Sequence, residues 1–146
     1  MNKEDIILTA RSWIGTKFHH QGRIKQNGNN KGGCDCIGLI IGIAKELGIN
    51  IYDESGYSKL PNNYLLEEKL NHYLIKKDIK DISISDIALF RISEFPQHVG
   101  IISNYDLHEL GIIHSFLPAK KVVEHHLNYE WKERLVAVYN FPTLKK

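Results

Sequence analysis

The spacing of apolar and polar positions changes about halfway along the chain, from a helical period to an alternating one. Between Lys3 and Ile14 the apolar residues recur three or four positions apart, which predicts an amphipathic helix. Asn2 stands where an N-cap belongs, and Gly15 is a natural stop. The first half of the chain is therefore predicted to be helical.

Two further helices are predicted in this half. Residues 36–47 (CIGLIIGIAKEL) are apolar almost all round, so we expect a buried central helix with Asp35 as its N-cap and a glycine after its end. Residues 64–74 show an apolar stripe, preceded by Asn62 and Asn63 as candidate caps.

The second half of the chain is rich in Val, Ile, Phe and Tyr in short runs separated by polar breaks, which is typical of strands. Strands are predicted over residues 86–92, 98–103, 111–116, 121–127 and 135–141. Helices followed by strands indicate an α+β fold, with N-terminal helices packed on a C-terminal, mainly antiparallel sheet.

Residues 15–33 show no period and contain five glycines and three asparagines, so this segment is predicted to be a long ordered loop beside a site. Its glycine-rich end, NNKGGCDC, lacks the Gly-Lys-Ser/Thr sequence of a phosphate-binding loop. We therefore expect no bound nucleotide.

The length of 146 residues predicts one domain over residues 1–146. The net charge of +2 includes no dense basic stripe, so we expect no nucleic-acid partner. Acidic residues and Arg11 interrupt the N-terminus where a signal peptide needs an apolar run, and no stretch is long enough to span a membrane. These features predict synthesis in the cytoplasm and no membrane association.

Cys34 and Cys36 are too close in sequence for an unstrained loop-closing disulfide, which predicts free thiols. Cys36 stands in the first turn of the predicted central helix, where free backbone N–H groups and the helix dipole favour a thiolate. The same N–H groups could stabilise an oxyanion, so Cys36 is a candidate nucleophile. The alternative is a cysteine that only packs as a small core hydrophobe.

Two histidines at strand ends strengthen the catalytic alternative. His98 lies in QHVGII and His114 in GIIHSF, and both could face a sulfur on a helix packed against the sheet. A histidine within reach of the thiol could act as general base and then as general acid, while a third polar group orients its ring.

The paired histidines, His19 with His20 and His125 with His126, do not have the spacing of metal ligands. Adjacent residues on a strand point to opposite faces, and the chain has neither His-x-x-x-His nor Cys-x-x-Cys. We expect neither metal nor any other cofactor.

The segments WIGTKFHHQG, GCDCIGLIIG, HVGII and GIIHSF, in this order, resemble the motifs of the NlpC family of bacterial cell-wall cysteine peptidases. The resemblance is closer to the short members found with phages and gene-transfer particles, and it extends through KVVEHHL to the ending LVAVYNFP. It implies a circularly permuted papain-like α+β domain that cleaves peptidoglycan stem peptides, typically between D-glutamate and diaminopimelate.

Carried over to this chain, the resemblance implies that Cys36 is the nucleophile, His98 the general base and acid, and His114 the group that orients His98. Two positions depart from the family pattern. Phe18 stands where a tyrosine hydroxyl usually lines the catalytic pocket, and Ile37 stands where many members have serine.

Other polar groups could compensate for these departures or take other roles. His20 or His19 could replace the missing tyrosine donor. Asp35 is interpreted as an N-cap, with binding of a substrate amine as the alternative.

The resemblance implies peptidoglycan peptides as substrate and, for the phage-like members, tail proteins as partners. An enzyme made without a signal peptide would reach the wall after lysis or inside a phage-like particle. Two other hypotheses stay open: a structural tail-tip component with weak or no turnover, and an acyltransferase that uses the same Cys-His chemistry.

Overall fold

A computed structural model describes residues 2–53 and 64–142 of the chain. The described residues form four α-helices and eight strands in an α+β arrangement, which confirms the predicted fold class. The helices are α1 (Lys3–Ser12), α2 (Cys36–Glu46), α3 (Leu65–Tyr73) and α4 (Tyr129–Arg134). The strands are β1 (Arg23–Ile24), β2 (Gly33–Cys34), β3 (Ile75–Lys77), β4 (Ile87–Ile92), β5 (Phe95–Ser103), β6 (Gly111–Phe116), β7 (Lys121–His126) and β8 (Leu135–Asn140).

The first two helices begin where their capping residues predict. Asn2 and Asp5 form a reciprocal capping box at the start of α1. Asp35 caps α2 by accepting the N–H of Gly38 at 2.7 Å. Both helices end within two residues of the predicted position. For α3 the predicted caps Asn62 and Asn63 lie outside the described residues.

Helix α2 is buried between α1 and the sheet. Its residues 38–44 are all buried, as the all-round apolar sequence predicts. A Cβ at Gly42 would collide with the indole ring of Trp13, so glycine allows the end of α1 to pack closely on α2. This packing fixes the position of the N-terminus of α2, where Cys36 lies.

Strands β3 to β8 form one antiparallel sheet in the order β3-β8-β4-β5-β6-β7. Successive residues of β4 alternate between two cores: Ile87 and Leu89 pack toward α1 and α2, whereas Ala88 and Phe90 pack with Trp131 of α4. The sheet is therefore covered by helices on both faces.

Strands β5 and β6 separate toward the start of β5. In the part of the chain that the structure describes, their ladder joins residues 101–103 to 111–113 and does not extend back to His98. A Cβ at Gly100 would lie 2.9 Å from the side chain of Ile112 and 3.1 Å from the Cβ of His114. The absence of a side chain at Gly100 thus leaves space on β5 for the His114 side chain, which contacts His98 two residues before Gly100.

Four features differ from the sequence-based expectations. The long loop contains the short β1–β2 pair, and strand β3 and helix α4 were not predicted. A charged pair such as Lys76-Lys77 is ordinarily solvated, but the Lys77 side chain is largely buried and contacts both carboxylate oxygens of Asp86 at 2.9 Å. No helix within residues 2–53 and 64–142 has the length and apolarity to cross a membrane.

Candidate active site

The N-terminus of α2 holds Cys36 in place through the carboxylate of Asp35. Besides capping Gly38, this buried carboxylate accepts the N–H of Gln21 at 2.8 Å and lies 3.3 Å from Nη1 of Arg23. Arg23 in turn contacts Asp53 at 3.1 Å. Asp35 is thus an N-cap, and it also joins the 15–33 segment to the start of α2.

Cys36 is partly buried against β5. The backbone N–H groups of Val99 and Ile37 donate to its sulfur, which favours the thiolate. Burial acts in the opposite direction and is the larger effect; together with the nearby carboxylate of Asp35 it raises the pKa of Cys36 to about 12. The N–H of Ile37 at the helix end thus acts in the expected direction, but burial outweighs it and the net pKa of Cys36 is raised.

Cys34 differs from Cys36 in access. It lies on β2 with no exposed surface, and its carbonyl accepts the hydroxyl of Ser115 at 2.7 Å. Burial also raises the pKa of Cys34 to about 12. Cys36 retains partial exposure. The two thiols therefore differ in their access to a substrate, although their pKa values are similar.

His98 and His114 meet at the opening between β5 and β6. Nε2 of His98 lies 2.6 Å from Nδ1 of His114, so one ring donates to the other. Both side chains are buried, His114 completely. Burial lowers the pKa of His98 to about 3 and that of His114 to about 2, so both rings are neutral at pH 7.

A cleft of about 540 Å³ joins these groups. Cys36 and His98 both line it, as do the four predicted binding or oxyanion candidates. Those four are Phe18, His20, Asp35 and Ile37. His114 lies behind His98 rather than in the cleft wall. The structure thus brings Cys36 and His98 to one cavity and places His114 where it contacts Nε2 of the His98 ring.

The described residues contain no group of three or more His, Cys, Asp or Glu side chains arranged to hold a metal ion. Nitrogens of His98 and His114 face each other at hydrogen-bonding distance, which leaves no room for an ion between them. The chemistry that this site can support is nucleophilic attack by sulfur with histidine as the proton carrier.

Comparison with solved structures identifies the fold. The chain superposes on an NlpC/p60 family protein from Bacillus cereus with a TM-score of 0.66 at 20% identity, over 97% of this chain. It superposes on the NlpC/p60 domain of the peptidoglycan hydrolase SagA with a TM-score of 0.64 at 17% identity, over 96% of this chain and 99% of that domain. The chain has the NlpC/p60 fold.

A third NlpC/p60 structure is RipD of Mycobacterium tuberculosis, described as a non-catalytic protein adapted to bind peptidoglycan. Its TM-score is 0.63 at 15% identity, and 97% of each chain is covered. This chain spans about two fifths of the Bacillus cereus protein, with 40% covered. No family model matches the sequence, and no curated protein sequence does.

The NlpC/p60 fold of this chain also contains polar groups that the sequence analysis did not assign to the site. Arg134, at the end of α4, lines the cleft and lies 4.8 Å from the Trp131 ring. His125 on β7 contacts His114 from the side opposite His98. The sequence signal for His125 was the pair HH in a predicted strand, but only the register of β6 and β7 shows that this member of the pair meets His114.

Proposed function

We propose that this protein is a cysteine peptidase that hydrolyses amide bonds in peptidoglycan stem peptides. The observation that carries this proposal is the shared cleft: the Cys36 thiol at a helix N-terminus and the His98 ring line one cavity, and His114 holds Nε2 of that ring. A helix N-terminus, a thiol and an oriented histidine together supply the parts of a covalent amide hydrolase.

The reaction begins with transfer of the Cys36 proton to His98. The sulfur attacks the amide carbonyl carbon, and the donor proposed for the resulting oxyanion is the backbone N–H of Cys36 at the start of α2, since the Ile37 and Gly38 N–H groups already donate to the sulfur and to Asp35. His98 then returns the proton to the leaving amine, the C–N bond breaks, and a thioester to Cys36 remains. Water attacks this thioester with His98 as base, which releases the acid and restores the thiol. Burial of both groups disfavours the Cys36–His98 ion pair in the free protein.

One charge in the cleft supports a peptide substrate that carries carboxylates, because Arg134 offers a cation there. Stem peptides carry carboxylates, and we propose the bond between D-glutamate and diaminopimelate as the target. The likeness to a domain named as a peptidoglycan hydrolase supports the same substrate class.

The sequence motifs and the fold together support membership of the NlpC family, and we propose its phage and gene-transfer-particle members as the nearest group. Under that proposal the enzyme reaches the cell wall after lysis or as part of a phage-like particle. Tail proteins would then be its partners.

A non-catalytic role is the second candidate, and two observations favour it. Phe18 and Ile37 put apolar groups in the cleft at positions where the family resemblance implies hydroxyls. RipD shows that an NlpC/p60 domain can be non-catalytic. In this alternative the cleft binds stem peptides, or the protein is a structural tail-tip component, without turnover.

Incubation with purified muropeptides, followed by mass spectrometry, tests the proposal. We expect products with a new free amine on diaminopimelate from the native chain and none from Cys36→Ala. Binding of muropeptides without any product across pH 6 to 9 would support the non-catalytic alternative. Transfer of the acyl group to an added amine, without hydrolysis, would instead indicate the acyltransferase.

A further inference from the structure

A third histidine continues the contact between His98 and His114. His125 lies on β7, where it pairs with Ile112 of β6, so its side chain is diagonal to that of His114 on the same face of the sheet. The Nε2 atoms of His125 and His114 are 2.8 Å apart. Three imidazole rings therefore form a continuous hydrogen-bonded row that ends at the cleft.

A backbone carbonyl at one end of this row fixes which ring nitrogens donate and which accept. Nδ1 of His125 lies 2.9 Å from the carbonyl oxygen of His126, and a carbonyl oxygen can only accept. Nδ1 of His125 must therefore carry a hydrogen. In a neutral ring the other nitrogen, Nε2, then has the lone pair and accepts from Nε2 of His114.

The same logic passes to the next two rings. Since Nε2 of His114 donates, Nδ1 of a neutral His114 accepts, and the donor to it is Nε2 of His98. The remaining nitrogen of His98, Nδ1, is left unprotonated. That is the state a general base needs if it is to take the proton of a thiol.

The surroundings of the row keep other hydrogen-bond partners away. The Trp131 ring lies 5.8 Å from His98, 5.0 Å from His114 and 5.7 Å from His125 between ring centres. Phe116 stacks on His114 from another side at 4.9 Å. With few competing partners, the hydrogen-bond direction set at one end is transmitted to the other.

We propose that His125 is a positioning residue that, through His114, holds His98 in the tautomer whose Nδ1 can accept the Cys36 proton. The catalytic role of this tautomer rests on the proposed peptidase function. In the step concerned, the S–H bond of Cys36 breaks and an N–H bond forms at Nδ1 of His98. The resulting imidazolium keeps its Nε2–H donated to His114.

The tautomers are measurable without any substrate. Nitrogen-15 NMR of histidine side chains in the full chain at about pH 8, above the ordinary histidine pKa, distinguishes protonated from unprotonated ring nitrogens. We expect one unprotonated nitrogen on His98, at Nδ1. In His125→Phe the direction of the row is no longer fixed, so His98 should become a mixture of tautomers.

Glutamine offers a conservative replacement, because its amide can accept from His114 and donate to the His126 carbonyl. His125→Phe is expected to lower kcat on muropeptides about tenfold with KM unchanged, a loss typical of removing an outer hydrogen-bond partner. His125→Gln should recover most of that loss. The matched control is His126→Gln, whose side chain contacts Glu109 at 2.6 Å on the other face of the strand and should have no effect.

Two results would overturn the inference: a protonated Nδ1 on His98 in the native chain, or a folded His125→Phe variant whose His98 keeps a single tautomer. Equal kcat losses in His125→Phe and His125→Gln would also contradict it, since they would indicate a purely steric role. Failure of the native chain to cleave muropeptides would refute the proposed function but would leave the NMR result to decide the tautomers.

Discussion

The two walls of the cleft are built in different ways. The cysteine wall, residues 35–37, is a local structure. It consists of the N-cap residue Asp35 and the first residues of helix α2. The histidine wall, as the term is used below, is His98 in the cleft together with the two histidines behind it, His114 and His125; the three come from three strands and meet only through sheet register. A change in the cysteine wall should therefore act through one residue, whereas a change in the histidine wall should be transmitted between residues.

The largest effect is expected from the cysteine wall. Cys36→Ala removes the nucleophile and should reduce turnover by at least about 10⁴-fold, because no neighbouring group replaces a covalent nucleophile. Muropeptide hydrolysis followed by mass spectrometry measures the loss. Cys34→Ala, the matched removal of a sulfur outside the cleft, should keep activity in the fraction that folds. An active Cys36→Ala protein would refute the site.

The histidine wall should show graded losses instead of a single one. His98→Ala removes the base and is expected to cost about 10³-fold in kcat, whereas His114→Gln keeps an acceptor for the His98 ring and should cost about tenfold. Steady-state kinetics on one muropeptide compares the two variants. Equal and complete losses would contradict the assignment of base and orienting group.

Stability in acid should depend on the histidine wall. The pKa values of His98 and His114 are lowered by burial to about 3 and about 2, below the ordinary value near 6.5. As the pH falls below 6.5, the unfolded chain takes up protons that the folded chain excludes, so stability is complete above pH 6.5 and declines in acid. Between pH 6.5 and 5 each histidine should cost about 2 kcal/mol.

Urea unfolding at pH 7.5 and pH 5 measures this effect. His114→Gln should unfold with a weaker dependence on pH than the native chain. His108→Gln, which changes an exposed histidine, is the matched control and should not alter it. A native chain with equal stability at both pH values would show that the buried rings accept protons freely.

A smaller effect, on the free energy of unfolding, is expected from the caps of two helices beside the cleft, α2 and α4. Asp35→Ala should lower the free energy of unfolding by about 1 to 2 kcal/mol, because the Gly38 and Gln21 N–H groups lose their acceptor. Asn128→Ala, which removes the cap of the short helix α4, should cost about 1 kcal/mol or less. Thermal or urea unfolding measures both, and a larger cost at Asn128 would reverse the predicted ranking.

The smallest effect should come from Phe18→Tyr. A hydroxyl returned to the cleft could donate to the substrate and is expected to raise turnover about fivefold, which corresponds to about 1 kcal/mol for one hydrogen bond. If His20 already supplies that donor, Phe18→Tyr should have no effect and His20→Ala should lower the rate. No change in either variant would place the 15–22 segment outside the reacting centre.

The contrast between the walls also explains what the sequence could predict. The start of α2 was predicted to the residue, because Asp35, the apolar run and the following glycine act over a few positions. The helix-end effect on the pKa of Cys36 was predicted, because it is a local feature, whereas the larger and opposite effect of burial was not, because packing against β5 is a tertiary feature.

For the histidine wall, the sequence identified His98 and His114 as candidates but could not place His125. Either member of the 125–126 pair could have faced the site, and the choice depends on the β6–β7 register. Helix α4 was missed because its six residues, YEWKER, carry one buried side chain, Trp131, and no apolar stripe. Its contribution to the site comes from that indole and from Arg134, which lines the cleft.

Gly100 limits which other sequences could form the same row of three histidine rings. Its backbone does not demand glycine, yet a single methyl group there would press on Ile112 and on the Cβ of His114. Alanine is thus disfavoured by volume and not by conformation. A search for related chains can use this constraint as a signature: a histidine, a glycine two positions later, and one histidine on each of the next two strands.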